Sequence, residues 1–423
     1  MDLAHEAAAD NSDPETFPRL ARSGGHVVGR YGTLLNPVKQ KSTAGTTKVR
    51  HMSDLGTADA VLRLLLDGQA RTRAELIDVT GLARSTVTGR IEALVAAGLV
   101  VPSGEAASTG GRPPARFRFN PAARLVLAAD VGATHLSVAL TDLAGEILHR
   151  STTPLKIAEG PEVVLDAVAR AGHALLREAD RSPDDLAGTG VGLPGPVEHS
   201  TGRPNHPPIM PGWDSYDVVG RLSRELPGAV LVDNDVNIMA LGEHATAYPD
   251  VEHLLFVKVA TGIGAGVISG GRLHRGAQGA AGDIGHIQAP GHTELCRCGN
   301  VGCLEAIASA AALATTLGVE TSRDIVELVR AGNTTATSAV RQAGREIGTV
   351  LAAAVSLLNP SVIVVGGSLS QAGDSLLAGI RETIYARSLP LATTDLQVRT
   401  SRTPQDGALR GAAFLVQQHV LAH

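Results

Sequence analysis

Aromatic side chains are nearly missing from this 423-residue chain: Trp, Tyr and Phe together make up 2% of it, with a single Trp. Its cores must therefore be built from Ala, Val, Leu and Ile, which the 43% hydrophobic content supplies. Cysteine is scarcer still, at three. All three fall within eight positions, as Cys296-Arg-Cys298-Gly-Asn-Val-Gly-Cys303. Thiols crowded in one place do not staple distant segments, which excludes a disulfide scaffold and makes a reducing cytosol the expected setting. No apolar run reaches the roughly 18 residues of a membrane span, so no membrane partner is expected. The stretch from Met1 to Asp13 is acidic and lacks an apolar centre, and no secretory signal is read there.

The length suggests roughly two to four domains. The formal charge of −5 is unevenly spread. Residues 50–124 hold ten Arg against seven Asp and Glu, whereas residues 125–423 hold 21 Lys and Arg against 30 Asp and Glu. A basic front on an acidic body suits a nucleic-acid-contacting module attached to a soluble one. Residues 1–52 show no sustained apolar periodicity and read as a disordered tail.

Residues 53–120 turn helical and then extended. Ala60, Val61, Leu64 and Leu65 mark one face of a first helix, with Gly68 placed to stop it. Thr72 and Glu75 have the spacing of a capping box for a second. A third is expected from about Arg84 to Ala97, with Val87, Ile91, Leu94 and Val95 inward. Leu99 to Val101 and Arg116 to Phe119 then read as strands of a hairpin. This succession is a winged helix-turn-helix. Its third helix would turn Arg84, Ser85, Thr86, Thr88 and Arg90 toward double-stranded DNA. Arg112 of Gly110-Gly-Arg-Pro-Pro114 lies either in a minor-groove contact or in a simple linker.

After Asn120-Pro121 the pattern becomes α/β. Strands are expected at 125–130, 136–140, 188–193, 230–232, 254–259 and 362–365, with helices at 162–179 and 341–358. Several strands end in Asp or Gly clusters, which is how an α/β sheet presents a ligand site. Asp130-Val-Gly132-Ala-Thr134 and Thr261-Gly262-Ile-Gly264-Ala-Gly266 are either tight turns or loops whose backbone N–H groups meet phosphate oxygens. Asp235 is either a helix cap or a general base taking a proton from a sugar hydroxyl that attacks a γ-phosphate. Its neighbour Asn234 would hydrogen-bond that sugar. His286 stands ten residues before Cys296. Three thiolates and an imidazole close a tetrahedral coordination sphere, so a structural Zn²⁺ is expected on His286, Cys296, Cys298 and Cys303.

Taken together these stretches resemble the ROK family of repressors and sugar kinases. The most specific stretch runs from Gly282-Asp-Ile-Gly-His286 through Cys303-Leu-Glu305. The resemblance implies a two-lobed, actin-like ATPase (ribonuclease H-like) fold, with lobe 1 at 121–245 completed by a C-terminal helix at 407–423, and lobe 2 at 246–406 carrying the zinc. It implies a sugar or sugar-derivative effector held by Asn234, Asp235, Asp283, His286 and Glu305, and phosphate contacts at Asp130, Gly132, Thr134, Thr261, Gly262 and Gly264. Three positions depart from the family pattern. Asp283 replaces a Glu, Ala133 replaces the second glycine of the phosphate loop, and Ile209 replaces a sugar-binding Asn. Members with a winged helix are mostly sugar-responsive repressors. The expectation is therefore a cytoplasmic transcriptional regulator, a repressor, on a palindromic operator. It would act as a homodimer, with a tetramer left open. The alternative is a sugar kinase using ATP and Mg²⁺ through Asp235.

Overall fold

A computed structural model describes residues 59–105 and 113–421. The expected tail at 1–52 and Arg112 lie outside the described residues.

The front module follows the order α1 (Asp59–Leu65), β1 (Arg71–Thr72), α2 (Arg73–Thr80), α3 (Arg84–Ala96), β2 (Val100–Glu105) and β3 (Ala115–Phe119). The Thr72 hydroxyl accepts from the Glu75 N–H at 3.2 Å, and the Thr72 N–H donates to Glu75 Oε2 at 2.6 Å, completing the capping box. Gly81 ends α2 at φ 66°, a conformation that favours glycine. α3 buries Val87, Ile91 and Leu94. Val95 is exposed instead of inward, because at 3.6 residues per turn it falls on the edge of that stripe. The strands form a sheet in the order β1-β3-β2, all antiparallel.

The body begins with β4 (Leu125–Val131), β5 (His135–Asp142), β6 (Ile147–Pro154), α4 (Pro161–Glu178), β7 (Leu186–Leu193), β8 (Val197–Glu198), β9 (Arg203–Pro204), α5 (Val218–Leu222), β10 (Ala229–Asn234) and α6 (Asp235–Ala247). It continues with β11 (Leu254–Val259), β12 (Ile263–Ser269), β13 (Arg272–His274), α7 (Leu304–Ala308), α8 (Ala310–Leu317), α9 (Ser322–Arg330) and α10 (Thr334–Leu358). β14 (Val362–Gly366), α11 (Asp374–Arg387), α12 (Pro390–Thr393), β15 (Gln397–Thr400) and α13 (Gly407–Val420) complete it.

Ten of these strands form two five-stranded sheets, β10-β7-β4-β5-β6 and β13-β12-β11-β14-β15, and β8 and β9 pair with each other apart from them. In each, the first three strands make an antiparallel meander and the last two add in parallel to the first. The second half of the body thus repeats the topology of the first. Parallel neighbours need crossover connections, which α4 and the α7–α10 run supply.

Two helices join the halves. α6 packs on the second sheet through Val236 and Ala240, against Leu254, Phe256 and Ile268. α13 lies on the first sheet, its Ala412 and Val416 in one core with Val126 and Ala128. Where α6 and α13 cross, a Cβ added at Gly411 would lie 1.7 Å from the Ile238 carbonyl oxygen, and one at Gly242 would lie 1.9 Å from that of Gly407. Only glycine permits so close a backbone approach. That same core includes Val61, Leu76, Ile91 and Phe117, so the winged module is continuous with the body.

Candidate functional site

The cysteine-bearing loop is built by short backbone links. Gln288 bridges to Cys303 and Leu295 to Val301, and the Cys296 N–H donates to the Asn300 carbonyl at 2.8 Å. Gly299 and Gly302 take φ of 91° and 72°. A Cβ on Gly302 would meet the His292 carbonyl oxygen at 2.6 Å, so a side chain there has no room. Folded this way, the loop brings one ligand atom each from His286, Cys296, Cys298 and Cys303 to within 4.8 Å of one another. Cys296 Sγ lies 3.6 Å from His286 Nδ1 and Cys298 Sγ lies 3.7 Å from Cys303 Sγ. A tetrahedral zinc with metal–sulfur bonds of about 2.3 Å has edges of about 3.8 Å, so the donor set and its spacing fit such an ion.

The turn at the end of β10 is the second feature. Asn234 caps α6: its Oδ1 accepts from the Val236 N–H at 2.8 Å and its Nδ2 donates to the Gly195 carbonyl at 2.9 Å. Asp233 Oδ1 accepts from Asn237 Nδ2 at 2.7 Å, and its Oδ2 from Arg275 Nε at 2.7 Å. Asp235 is buried, and its Oδ2 holds the ammonium of Lys258. Burial disfavours that ammonium. The carboxylates of Asp235, Asp130 and Glu305 outweigh it and hold Lys258 above the ordinary lysine value. Asp235 thus serves an ion pair as well as standing where a base was expected.

The two glycine turns are each covered by a side chain. At the first, His135 folds back so that a Cβ on Gly132 would lie 2.1 Å from its ring, while its Nε2 stands 3.4 Å from Asp130 Oδ2. Thr134 is exposed beside it. At the second, Glu305 Oε2 accepts from the Ile263 N–H at 3.0 Å and lies 2.5 Å from where a Cβ on Gly262 would be. Thr261 and Glu305 line a pocket together with Cys296, Arg297 and Ser309. Gly264 packs on Val236 of α6. Asp283 is exposed, immediately before the 3-10 turn Ile284–His286. Ile209 packs against the core of the first sheet, beside fully buried Trp213, whose Nε1 donates to the Ile157 carbonyl at 3.1 Å.

On α3, Arg84 and Ser85 are exposed, while Thr86, Thr88 and Arg90 are half-buried. The residue before the helix is Ala83, which provides no side-chain cap. The first N–H groups of α3 therefore have no acceptor from a capping side chain among the described residues. Lys258, Arg275 and His135, which pair with Asp235, Asp233 and Asp130, are not among the residues that the sequence pattern singles out. A lysine inside the apolar strand Leu-Leu-Phe-Val-Lys-Val was the signal available.

The ROK family model matches residues 126–419. The chain is 27% identical over 381 residues to the xylose repressor of Caldicellulosiruptor bescii, covering 86% of this chain and 95% of that protein. It is 32% identical over 316 residues to a glucokinase of Halalkalibacterium halodurans, covering 70% of this chain and 96% of that enzyme. Among solved structures, the ROK family transcriptional regulator homologous to the E. coli MLC protein superposes with a TM-score of 0.76 at 26% identity. That match covers 86% of this chain and 96% of the other.

Proposed function

This chain belongs to the ROK family, and from that premise we propose that it is a sugar-responsive transcriptional regulator, a repressor, which binds DNA through its winged helix. The observation that carries the reading is the shared core of the winged module and the family body. The glucokinase relative aligns with 70% of the chain, whereas the repressor relative aligns with 86%. The difference in span supports reading the front module as the part shared with the repressor relative.

Arg84, Ser85, Thr86, Thr88 and Arg90 supply the contacts to base edges and phosphates, with the open N-terminus of α3 receiving a phosphate. Two copies on a near-palindrome place two such helices in successive major grooves. Asn234, Asp235, Asp283, His286 and Glu305 surround the effector. The Cys₃His cluster holds a zinc that stiffens the loop bearing His286 and Glu305. Four protein ligands leave no open position, so this metal is structural.

The route from effector to DNA is physical and continuous. Asp235 begins α6, α6 crosses α13 backbone to backbone, and α13 shares a core with α3. An effector shifts DNA affinity only so far as it binds the two arrangements differently. The test is a gel shift with sheared genomic DNA at two salt concentrations, with and without sugars. Binding that weakens steeply with salt and responds to one sugar supports the reading. Salt-independent binding, or none, sinks it.

The second reading is an ATP-dependent sugar kinase, favoured by the glucokinase relative and the position of Asp235. Asp235 would be the base, with ATP and Mg²⁺ along the glycine turns at Asp130, Gly132, Thr134, Thr261, Gly262 and Gly264. Lys258 already occupies Asp235 Oδ2, so a reacting hydroxyl would have to use Oδ1 or displace the ammonium. Sugar-dependent ADP release abolished by Asp235→Asn would establish the kinase.

A further inference from the structure

Two cations reach the Asp233-Asn234-Asp235 turn, and each is already committed to a carboxylate of that turn. Arg275 Nε donates to Asp233 Oδ2 at 2.7 Å and Lys258 Nζ to Asp235 Oδ2. The two aspartate side chains are 3% and 6% exposed, while Arg275 and Lys258 keep 17% and 23%, so the carboxylates are withdrawn from water and the cations partly so. Asp130 and Glu305 bring two further carboxylates within electrostatic reach of Lys258. Carboxylates therefore outnumber the committed cations by four to two around this part of the cleft. His135 lies against Asp130 and offsets part of that excess. His199 is pushed below its ordinary value by burial and by the charge of Arg275, so it adds no positive charge near neutrality. Arg297 is exposed to water on the cysteine loop, where its charge is screened.

We propose that Lys258 and Arg275, by binding Asp235 and Asp233, make the cleft select an uncharged sugar over the same sugar carrying a phosphate. The inference rests on the sugar-sensing reading above and narrows its ligand class. A phosphate arriving here has two options. It can draw Lys258 or Arg275 away, which leaves a buried carboxylate uncompensated. Otherwise it sits among carboxylates of its own sign. A hydroxyl meets neither obstacle. Asp235 Oδ1 carries no hydrogen bond among the described residues and can accept one while Oδ2 keeps Lys258. The Asn234 amide, with Oδ1 capping α6, retains one N–H to offer a sugar oxygen.

The experiment is calorimetric titration of the full-length protein with a panel of aldopentoses, aldohexoses and N-acetylhexosamines. Each is paired with its terminal phosphate ester, and a parallel gel shift is run. The expected result is one parent sugar binding at least about tenfold more tightly than its phosphate, and that sugar alone changing the gel shift. A phosphate ester that binds as well as its parent, or better, overturns the proposal while leaving the regulator intact. DNA binding indifferent to every compound overturns the sugar-sensing reading itself, and the proposal with it. Asp233→Asn keeps the side-chain shape and frees Arg275, so the preference for the parent sugar should shrink by about threefold or more. Full discrimination in that variant would overturn the assignment to Arg275. The wild-type titration decides the ligand class even where the variant folds poorly.

Discussion

Glu243 Oε2, at the heart of α6, accepts a hydrogen bond from Ser401 Oγ at 2.7 Å, although 158 residues separate the two. The same carboxylate takes the backbone N–H groups of Arg402 at 2.8 Å and Thr403 at 3.1 Å, and the Thr403 hydroxyl. Glu243 is fully buried. It therefore pins the segment by which the chain leaves the second sheet and returns to the first through α13. Glu243→Ala would take the acceptor from several part-buried donors at once. Each costs about 1–3 kcal/mol when its acceptor is lost, so a loss of about 3–5 kcal/mol is expected in urea unfolding. Glu243→Gln keeps one amide oxygen as acceptor and should lose less than half as much. Equal stability of the alanine variant would deny this carboxylate its role at the junction.

Removing the metal tests the cysteine loop. Purified protein should carry about one zinc per chain, measured by elemental mass spectrometry. Cys298→Ala leaves three ligands and should release the ion to a mild chelator. Stability should fall by about 3–4 kcal/mol if free zinc had stood at 100 to 1,000 times its dissociation constant. Protease cleavage should then appear between residues 287 and 303. Wild-type protein devoid of zinc, or a Cys298→Ala variant that retains it, would contradict the coordination.

Local patterns were readable in the sequence and remote pairings were not. The Thr72–Glu75 capping box and the Gly81 stop depend on spacings of a few residues and the His286–Cys303 cluster on a stretch of eighteen, and each group of residues comes together where the pattern puts it. β6 went unread because it has no buried face: all of Ile147-Leu-His-Arg-Ser-Thr-Thr-Pro is half-buried or exposed, as suits a sheet edge. α10 begins at Thr334, earlier than 341, since its first turn is Thr- and Ala-rich and is set by the Asn333 cap. The ion pairs Lys258–Asp235 and Arg275–Asp233 join residues 23 and 42 apart, and nothing in either local stretch announces its partner. The same holds for Glu243. Asp235 and the glycine turns were legible as positions, but their present partners emerge only when the sheets are assembled.

Acidity should act on the first glycine turn through His135. Its hydrogen bond to Asp130 raises the imidazole above the ordinary histidine value, against the opposing effect of burial. Lys258 works in the same direction as burial, and Asp235 assists Asp130. A raised folded-state value means the native chain holds that proton more tightly than the unfolded chain does. The resulting stabilisation is fully present below about pH 6.5 and fades as pH climbs through the folded value. An NMR titration of the His135 ring should give a midpoint above 6.5, moving down in Asp130→Asn. That variant should lose more stability at pH 5.5 than at pH 8. The reverse pattern would mean the imidazole does not use this carboxylate.

Ser85→Asp separates helix stability from DNA binding, because the two respond to its charge with opposite sign. Ser85 is exposed in the first turn of α3, where Ala83 offers no cap. A carboxylate there meets the positive end of the helix dipole, which favours the fold by about 0.3–1 kcal/mol. If the same end receives a DNA phosphate, the new charge repels it. Thermal unfolding should therefore hold steady or rise slightly, while affinity in a gel shift falls by at least about tenfold. Arg84→Ala should weaken binding with little dependence on DNA sequence and flatten the salt slope by about one unit. A Ser85→Asp variant that still binds DNA like the wild type would take α3 off the duplex.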